Sequence, residues 1–422
     1  MLNLRRYARL LAIVLCAGCA STAPSSPAPD TPDAQRVVLI SIDAFRADYL
    51  DRGITPNLSR LARDGVRAQW MTPAYPSLTF PNHYSIVTGL RPDRHGIVHN
   101  TMRDPALGGF KIADRSAVAD PRWWGGEPIW VTAQRAGITS ATLFWPGSEA
   151  PISGMHPHRW LPFDKAVASA ARVDTLLGWL DDPPPARARM LTLYFDMIDE
   201  AGHDHGPDSP QVNAALREVD AAIGRLRDGL AARGLLASTN LIVVSDHGMA
   251  AVAPGHRIAI EDMVSVQEAV VVTAGQAIGI VPNAGFEDVV AGKLLGAHEH
   301  YDCWRKGELP ARWHYGTHRR IPPIVCQMHE GWDALPRDAI AARQSDHARG
   351  SHGYDPALPS MRALFVANGP AFKPGAVIAP FDSVDVYPLL AHLIGVPPAA
   401  NDGDIASLLP ALRKTAAPVR NR

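Results

Sequence analysis

Apolar residues along this chain gather into short unbroken runs instead of alternating with polar ones. Arg36-Val-Val-Leu-Ile-Ser-Ile42 is the first, and Met190 to Phe195 and Asn240 to Val244 repeat the pattern. An unbroken aliphatic run of this length predicts a strand covered on both faces, as in a parallel sheet. Each run gives way to acids and histidines: Asp43, then Asp196 to His203, then Ser245-Asp-His-Gly248. Between the runs, Thr55 to Asp64, Ala166 to Leu180 and Pro210 to Arg233 read as helices, the last with apolar residues at helical spacing. Strands alternating with helices predict an α/β fold, a doubly wound and mainly parallel sheet with helices on both faces. Such folds bind ligands at the carboxyl ends of their strands.

The pattern changes at about 254–344, where short strands (Ala269 to Val272, Ile278 to Val281) mix with aromatic loops such as Pro310-Ala-Arg-Trp-His-Tyr315. This stretch reads as a more β- and loop-rich insertion in a catalytic domain spanning 36–415. The core resumes with a strand at Arg362-Ala-Leu-Phe-Val366 and closes with a helix over Ser383 to Leu393. At the other end, Met1 to Gly18 carries Arg5, Arg6 and Arg9 before an apolar run too short to span a bilayer, the pattern of an export signal. It ends Leu15-Cys-Ala-Gly-Cys19, similar to a bacterial lipoprotein cleavage box. The expectation is a periplasmic protein, anchored to a membrane through lipid on Cys19 or simply secreted. Residues 19–35, rich in Ser, Thr, Pro and Ala, read as a tether.

Charge narrows the partners. With 41 basic and 42 acidic residues and no basic run, nothing draws the chain onto a polymeric nucleic-acid backbone. In an exported protein Cys303 and Cys326 are expected to pair, with free thiols as the alternative.

The candidate chemistry centres on Pro76-Ser-Leu-Thr-Phe-Pro-Asn-His-Tyr84, which sets the Thr79 hydroxyl between two prolines. A threonine hydroxyl is a weak nucleophile unless a base or a metal activates it, and a proline-bracketed turn would look the same. Six ligand candidates supply the missing part: Asp43, Asp199, His203, Asp246, His247 and His352, each after a core strand or in a Gly-flanked loop. Mixed carboxylate and imidazole donors suit zinc, and six of them suffice for two ions with open positions.

The most specific stretches are Thr79-Phe-Pro-Asn-His-Tyr-Ser-Ile-Val-Thr-Gly89, Arg91-Pro-Asp-Arg-His-Gly-Ile-Val-His-Asn100, Gly202-His-Asp-His-Gly-Pro-Asp-Ser-Pro210, Ser245-Asp-His-Gly-Met249, and His314-Tyr with Arg320-Ile-Pro322. From about Val37 to Pro410 the chain resembles the nucleotide pyrophosphatase/phosphodiesterase family of the alkaline phosphatase superfamily. The resemblance implies one zinc on Asp43, Thr79, Asp246 and His247 and a second on Asp199, His203 and His352. It also implies Thr79 as nucleophile, a nucleotidyl-threonine intermediate, and Asn100 with the Phe80 amide on a non-bridging phosphoryl oxygen. Small nucleotide diesters or nucleoside triphosphates are the implied substrates, with nucleoside monophosphates released. Ala44 stands where the family more often has glycine. Phe80, Tyr194 and Phe163 are aromatic residues near these motifs that suit stacking on a base.

Other classes fit less well. A sulfatase needs Cys or Ser followed by Pro and Arg, where this chain has Thr79-Phe-Pro-Asn. A phosphoethanolamine or phosphoglycerol transferase is normally tethered by several membrane spans. A zinc-binding lipoprotein without activity has no use for Thr79 or Asn100. A phospholipid diesterase of the same superfamily shares the metal motif and stays open.

Overall fold

The computed structural model describes residues 35–342 and 347–414. The export segment, Cys19 and the tether up to residue 34 lie outside the described residues.

Eight strands form the central sheet, in the order Ala376–Ile378, Val66–Ala68, Phe365–Asn368, Thr239–Val244, Arg36–Ile42, Met190–Phe195, Ser140–Leu143 and Arg159–Leu161. Every pairing is parallel except the two made by Phe365–Asn368, which runs against Thr239–Val244 and Val66–Ala68. Arg36–Ile42 lies at the centre, wholly buried, between Met190–Phe195 and Thr239–Val244.

Alternation along that strand divides the core into two layers. Val37 and Leu39 join one apolar cluster, with Ile86 and Val87 of the helix Thr79–Thr88, Trp130 of Ile129–Arg135 and Leu389 of Val386–Ile394. Val38, Ile40 and Ile42 join the other, with Leu58 of the helix Pro56–Asp64, Leu176 of Ser169–Trp179 and Leu216 of Pro210–Ala232. Because both faces of the strand are covered, its sequence has no polar face to show, and the run reads as continuously apolar.

Between Val264 and Asp333 the chain builds a separate five-stranded sheet from Ala269–Thr273, Ala277–Pro282, Ile324–Met328, Tyr301–Arg305 and Gly296–Ala297. All of its pairings are antiparallel. Cys303 and Cys326 sit directly opposite each other in it and are joined by a disulfide. The strand read at Arg362 to Val366 begins three residues later, at Phe365. Its first residues are engaged elsewhere: Ala363 makes isolated bridges to Arg46 and Met71, and Arg362 N–H closes a turn onto Pro359 O.

Candidate active site

Three neighbouring strands end side by side, and the site is built on their ends. Asp43 follows Arg36–Ile42, its amide donating to Phe195 O at 2.9 Å. Asp246 and His247 follow Thr239–Val244, in a turn held by Ser245, whose hydroxyl donates to Phe45 O and accepts Leu364 N–H, both at 2.7 Å. Beyond Met190–Phe195, the helix Met197–His205 presents Asp199 and His203 one turn apart, hence on one face. His352 arrives from the strand Arg349–Ser351. Its approach depends on Gly350, where a Cβ would stand 2.4 Å from Gly202 O and 2.8 Å from Gly202 C of that helix.

The donor atoms fall into two groups, Asp43 with Asp246 and His247, and Asp199 with His203 and His352, each within 4.8 Å of one another. The three imidazoles are oriented alike. Nδ1 of His203 donates to Gly350 O at 3.0 Å, that of His247 to Gly248 O at 2.9 Å and that of His352 to Ser77 O at 2.9 Å. A carbonyl only accepts, so each Nδ1 carries the proton and each Nε2 is left as a lone pair facing the site. His352 Nε2 lies 3.1 Å from His203 Nε2. Three carboxylate oxygens, Asp43 Oδ1, Asp199 Oδ1 and Asp246 Oδ2, are buried without a hydrogen-bond partner. Buried lone pairs turned toward one another are costly unless a cation lies among them, and O/N donors of this mixture fit divalent ions such as zinc.

Electrostatics agree. Burial, then the neighbouring Asp246 and Asp199, pushes the Asp43 carboxyl well above its ordinary range, and burial likewise raises Asp199. Asp246 is buried too, yet His247, 2.9 Å away and itself raised by Asp246 against its burial, holds it with His83 well below the usual carboxylate range; a cation bound there would take the place of the His247 proton. Burial, with His247 and His203 alongside, drives His352 well below an ordinary histidine, so its ring stays neutral and available as a ligand.

Thr79 is the first residue of its helix, and its Oγ1 stands 3.4 Å from His247 Nε2. The proline at Pro81 fits there because the first turn of a helix has no carbonyl to receive its missing N–H. Asn82 fixes the approach: its side chain accepts Ala74 N–H at 2.7 Å and donates to Pro76 O at 2.9 Å and Leu78 O at 3.0 Å. Phe80 N–H donates to Asn100 Oδ1 at 2.9 Å. That amide, expected to reach a phosphoryl oxygen itself, is thus engaged in orienting Asn100, and Asn100 Nδ2 has no acceptor among the described residues.

The aromatic residues divide. Phe80 and Phe163 keep part of their rings exposed, Phe80 packed on Phe110 and Trp124 and Phe163 edge-on to Phe144 and Tyr194. Tyr194 does not suit the stacking role expected of it. It is 7 % exposed, its ring lies edge-on to His83, and its hydroxyl donates to Asp43 Oδ2 at 2.6 Å. Two supporting residues escaped the sequence reading. His83 takes Ser41 Oγ at 2.8 Å on Nε2 and directs Nδ1 to Thr79 O at 2.9 Å, with Asp246 Oδ2 at 3.3 Å. Its place four residues after Thr79, on the same helix face, was the available signal. Arg172, 1 % exposed, pairs with Asp196 at 2.7 Å and donates to Tyr194 O at 3.0 Å.

The family model for type I phosphodiesterase / nucleotide pyrophosphatase matches residues 37–355. This chain belongs to that family. An uncharacterised pyrophosphatase/phosphodiesterase of Schizosaccharomyces pombe is 37 % identical over 389 residues, covering 89 % of this chain and 80 % of that protein. Ectonucleotide pyrophosphatase/phosphodiesterase family member 3 of Bos taurus is also 37 % identical, over 88 % of this chain but 43 % of its own length. Murine ectonucleotide pyrophosphatase/phosphodiesterase 5, solved as an inactive threonine-to-alanine variant in complex with AMP, superposes with a TM-score of 0.84 at 34 % identity. That alignment covers 90 % of this chain and 100 % of the murine one. The matched span holds both ligand groups, Thr79 and Asn100. No helix among the described residues of this family member is long and apolar enough to cross a membrane.

Proposed function

We propose that this chain hydrolyses phosphodiester and pyrophosphate bonds of small nucleotides, releasing nucleoside monophosphates through a nucleotidyl-Thr79 intermediate. The observation that carries the reading is Thr79 Oγ1 at a helix N-terminus, 3.4 Å from His247 Nε2 and beside two convergent ligand groups. Family membership and the AMP complex of the murine relative support it.

Asp43, Asp246 and His247 with Thr79 Oγ1 would hold one divalent ion, zinc by the donor chemistry, and Asp199, His203 and His352 a second. Bound there, such ions lower the pKa of coordinated oxygens and neutralise charge on the reacting phosphate. In the first step Thr79 Oγ1 gives up its proton to solvent and forms a bond to phosphorus as the bond to the leaving oxygen breaks, the leaving group departing as its oxyanion or taking a proton from solvent. In the second, a water oxygen displaces Thr79 Oγ1, which regains its proton. Asn100 Nδ2, oriented by the Phe80 amide, donates to a non-bridging phosphoryl oxygen, while Phe80 and Phe163 offer ring faces to the base. Asn100 and backbone amides carry no charge, which favours a diester over the more highly charged monoester. The export pattern of Met1 to Gly18 supports a location outside the cytoplasm, anchored through lipid on Cys19 or simply secreted.

Nitrophenol release from a nitrophenyl nucleotide diester tests the activity. Thr79→Ala is expected to fall below about one per cent of wild type, the allowance being for water attack in a metal site. Both ions should remain by metal analysis, since six protein ligands are untouched. Turnover above that level with normal metal content would remove Thr79 as nucleophile.

A further inference from the structure

The motif pair His314-Tyr315 and Arg320-Ile321-Pro322 has no part in either ligand group, yet Arg320 is among the most enclosed charges in the molecule, 6 % exposed. Its Nε donates to Asp104 Oδ2 at 2.7 Å, Nη1 to Gly96 O and Trp123 O, both at 2.7 Å, and Nη2 to Arg122 O at 3.1 Å. The guanidinium also lies over the Trp123 ring, 4.7 Å from its centre. Gly96 and Asp104 stand four residues before and four residues after Asn100. Arg320 thus grips both ends of the segment that carries Asn100.

The same segment is held along its length. Tyr315 hydroxyl donates to Val98 O at 3.1 Å. His99 Nδ1 accepts Thr101 N–H at 3.0 Å, and Asn100 O accepts Ile112 N–H at 3.1 Å. Gly96, at φ 81°, admits the guanidinium so closely that a Cβ would lie 2.9 Å from Arg320 Nη1. Arg320 and Tyr315 come from the loop between Tyr301–Arg305 and Ile324–Met328, the two strands joined by the disulfide. The grip therefore comes from the five-stranded sheet and acts on a loop of the central domain. Five charge-assisted or aromatic contacts on one arginine fix the segment, largely buried from Gly96 to His99, at both ends.

We propose that Arg320, assisted by Tyr315, is a positioning residue for Asn100, and that the 254–344 segment takes part in the reaction by setting where the Asn100 amide meets the phosphoryl oxygen. This rests on the reading of Asn100 as the donor to that oxygen. A donor displaced by a fraction of an ångström still binds substrate but serves the transition state poorly.

The test measures kcat and KM on the nitrophenyl nucleotide diester for Arg320→Met, Arg320→Lys and Tyr315→Phe, each alone and combined with Asn100→Ala. The same variants are assayed on the two phosphorothioate diastereomers of that diester, since a donor to one non-bridging oxygen discriminates between them. Arg320→Met is expected to lower kcat by about 10- to 100-fold with KM within about twofold, and to shift the diastereomer preference toward that of Asn100→Ala. Lysine keeps the contact with Asp104 and should restore part of the loss. In the Asn100→Ala background Arg320→Met should cost about twofold or less, because residues acting through one another do not add. Equal fold losses in both backgrounds, with the preference unchanged, would overturn the proposal and leave Arg320 a packing residue. If Arg320→Met does not fold, Tyr315→Phe, which removes one hydroxyl, carries the same comparison at about two- to fivefold. Failure of the underlying reading looks different: Asn100→Ala alone would leave kcat and diastereomer preference at wild-type values, and both claims would fall.

Discussion

Ala44 holds a φ of 58°, left-handed backbone at the position where the family resemblance leads one to expect glycine, and it does so while donating its amide to Asp246 Oδ1 at 3.2 Å. An L residue there costs roughly 1–2 kcal/mol, of which glycine's greater freedom in the unfolded chain returns roughly 0.5–1. Ala44→Gly should therefore raise the unfolding free energy by up to about 1.5 kcal/mol in urea titration, and a clear loss of stability would contradict the strain. Tyr194 and the two phenylalanines separate on substrates. Tyr194→Phe removes the donor to Asp43 and should weaken metal binding at that group by about 10- to 100-fold, lowering rates on nucleotide and simple alkyl nitrophenyl diesters alike. Phe163→Ala or Phe80→Ala should cost about five- to 150-fold on the nucleotide diester alone, the loss of one stacking partner at ~1–3 kcal/mol. Equal losses on both substrates would dismiss base stacking and favour a phospholipid headgroup.

At the scale of elements, the sequence made the strand ends legible because buried parallel strands are uninterrupted apolar runs, so the acids that follow them stand out. The two ligand groups, read from Asp43, Asp199, His203, Asp246, His247 and His352, come together as that placement implies. What could not be read was tertiary: the reversed direction of Phe365–Asn368, which depends on where the insertion returns the chain, and the grip of Arg320, whose partners lie about 200 residues away. Nor did any local pattern show that Tyr194 points its hydroxyl inward. The loop from the short helix Pro92–His95 to Asn100 carries its own pH signature. Burial holds His95 down to about 3 and His99 to about 4, against an ordinary value near ~6.5. Both take up protons on unfolding, so their contribution to stability is present above about pH 6.5 and is lost as pH falls toward 4, at up to ~1.4 kcal/mol per unit for each. Urea titrations at pH 7 and pH 5 should show that loss, and His99→Asn should reduce its slope; an unchanged slope would contradict a neutral buried His99. In the five-stranded sheet, alkylation of unreduced, denatured protein should label neither Cys303 nor Cys326.

For the whole molecule, two structural parts meet at one reaction. On the proposed reading, the ends of the central strands and the helices beside them, with the strand Arg349–Ser351, supply Thr79 and the ligand groups, and the loop of the five-stranded sheet that carries Arg320 and Tyr315 holds the segment that bears Asn100. What decides the role of Thr79 is whether phosphorus passes through its hydroxyl. The most direct measurement is the stereochemical course at phosphorus, followed with one phosphorothioate diastereomer of the nitrophenyl nucleotide diester in isotopically labelled water. Each in-line displacement inverts the centre, so attack by Thr79 followed by attack by water returns the original configuration. Net retention is the expected result, and net inversion would mean that water attacks directly and that Thr79 is not the nucleophile.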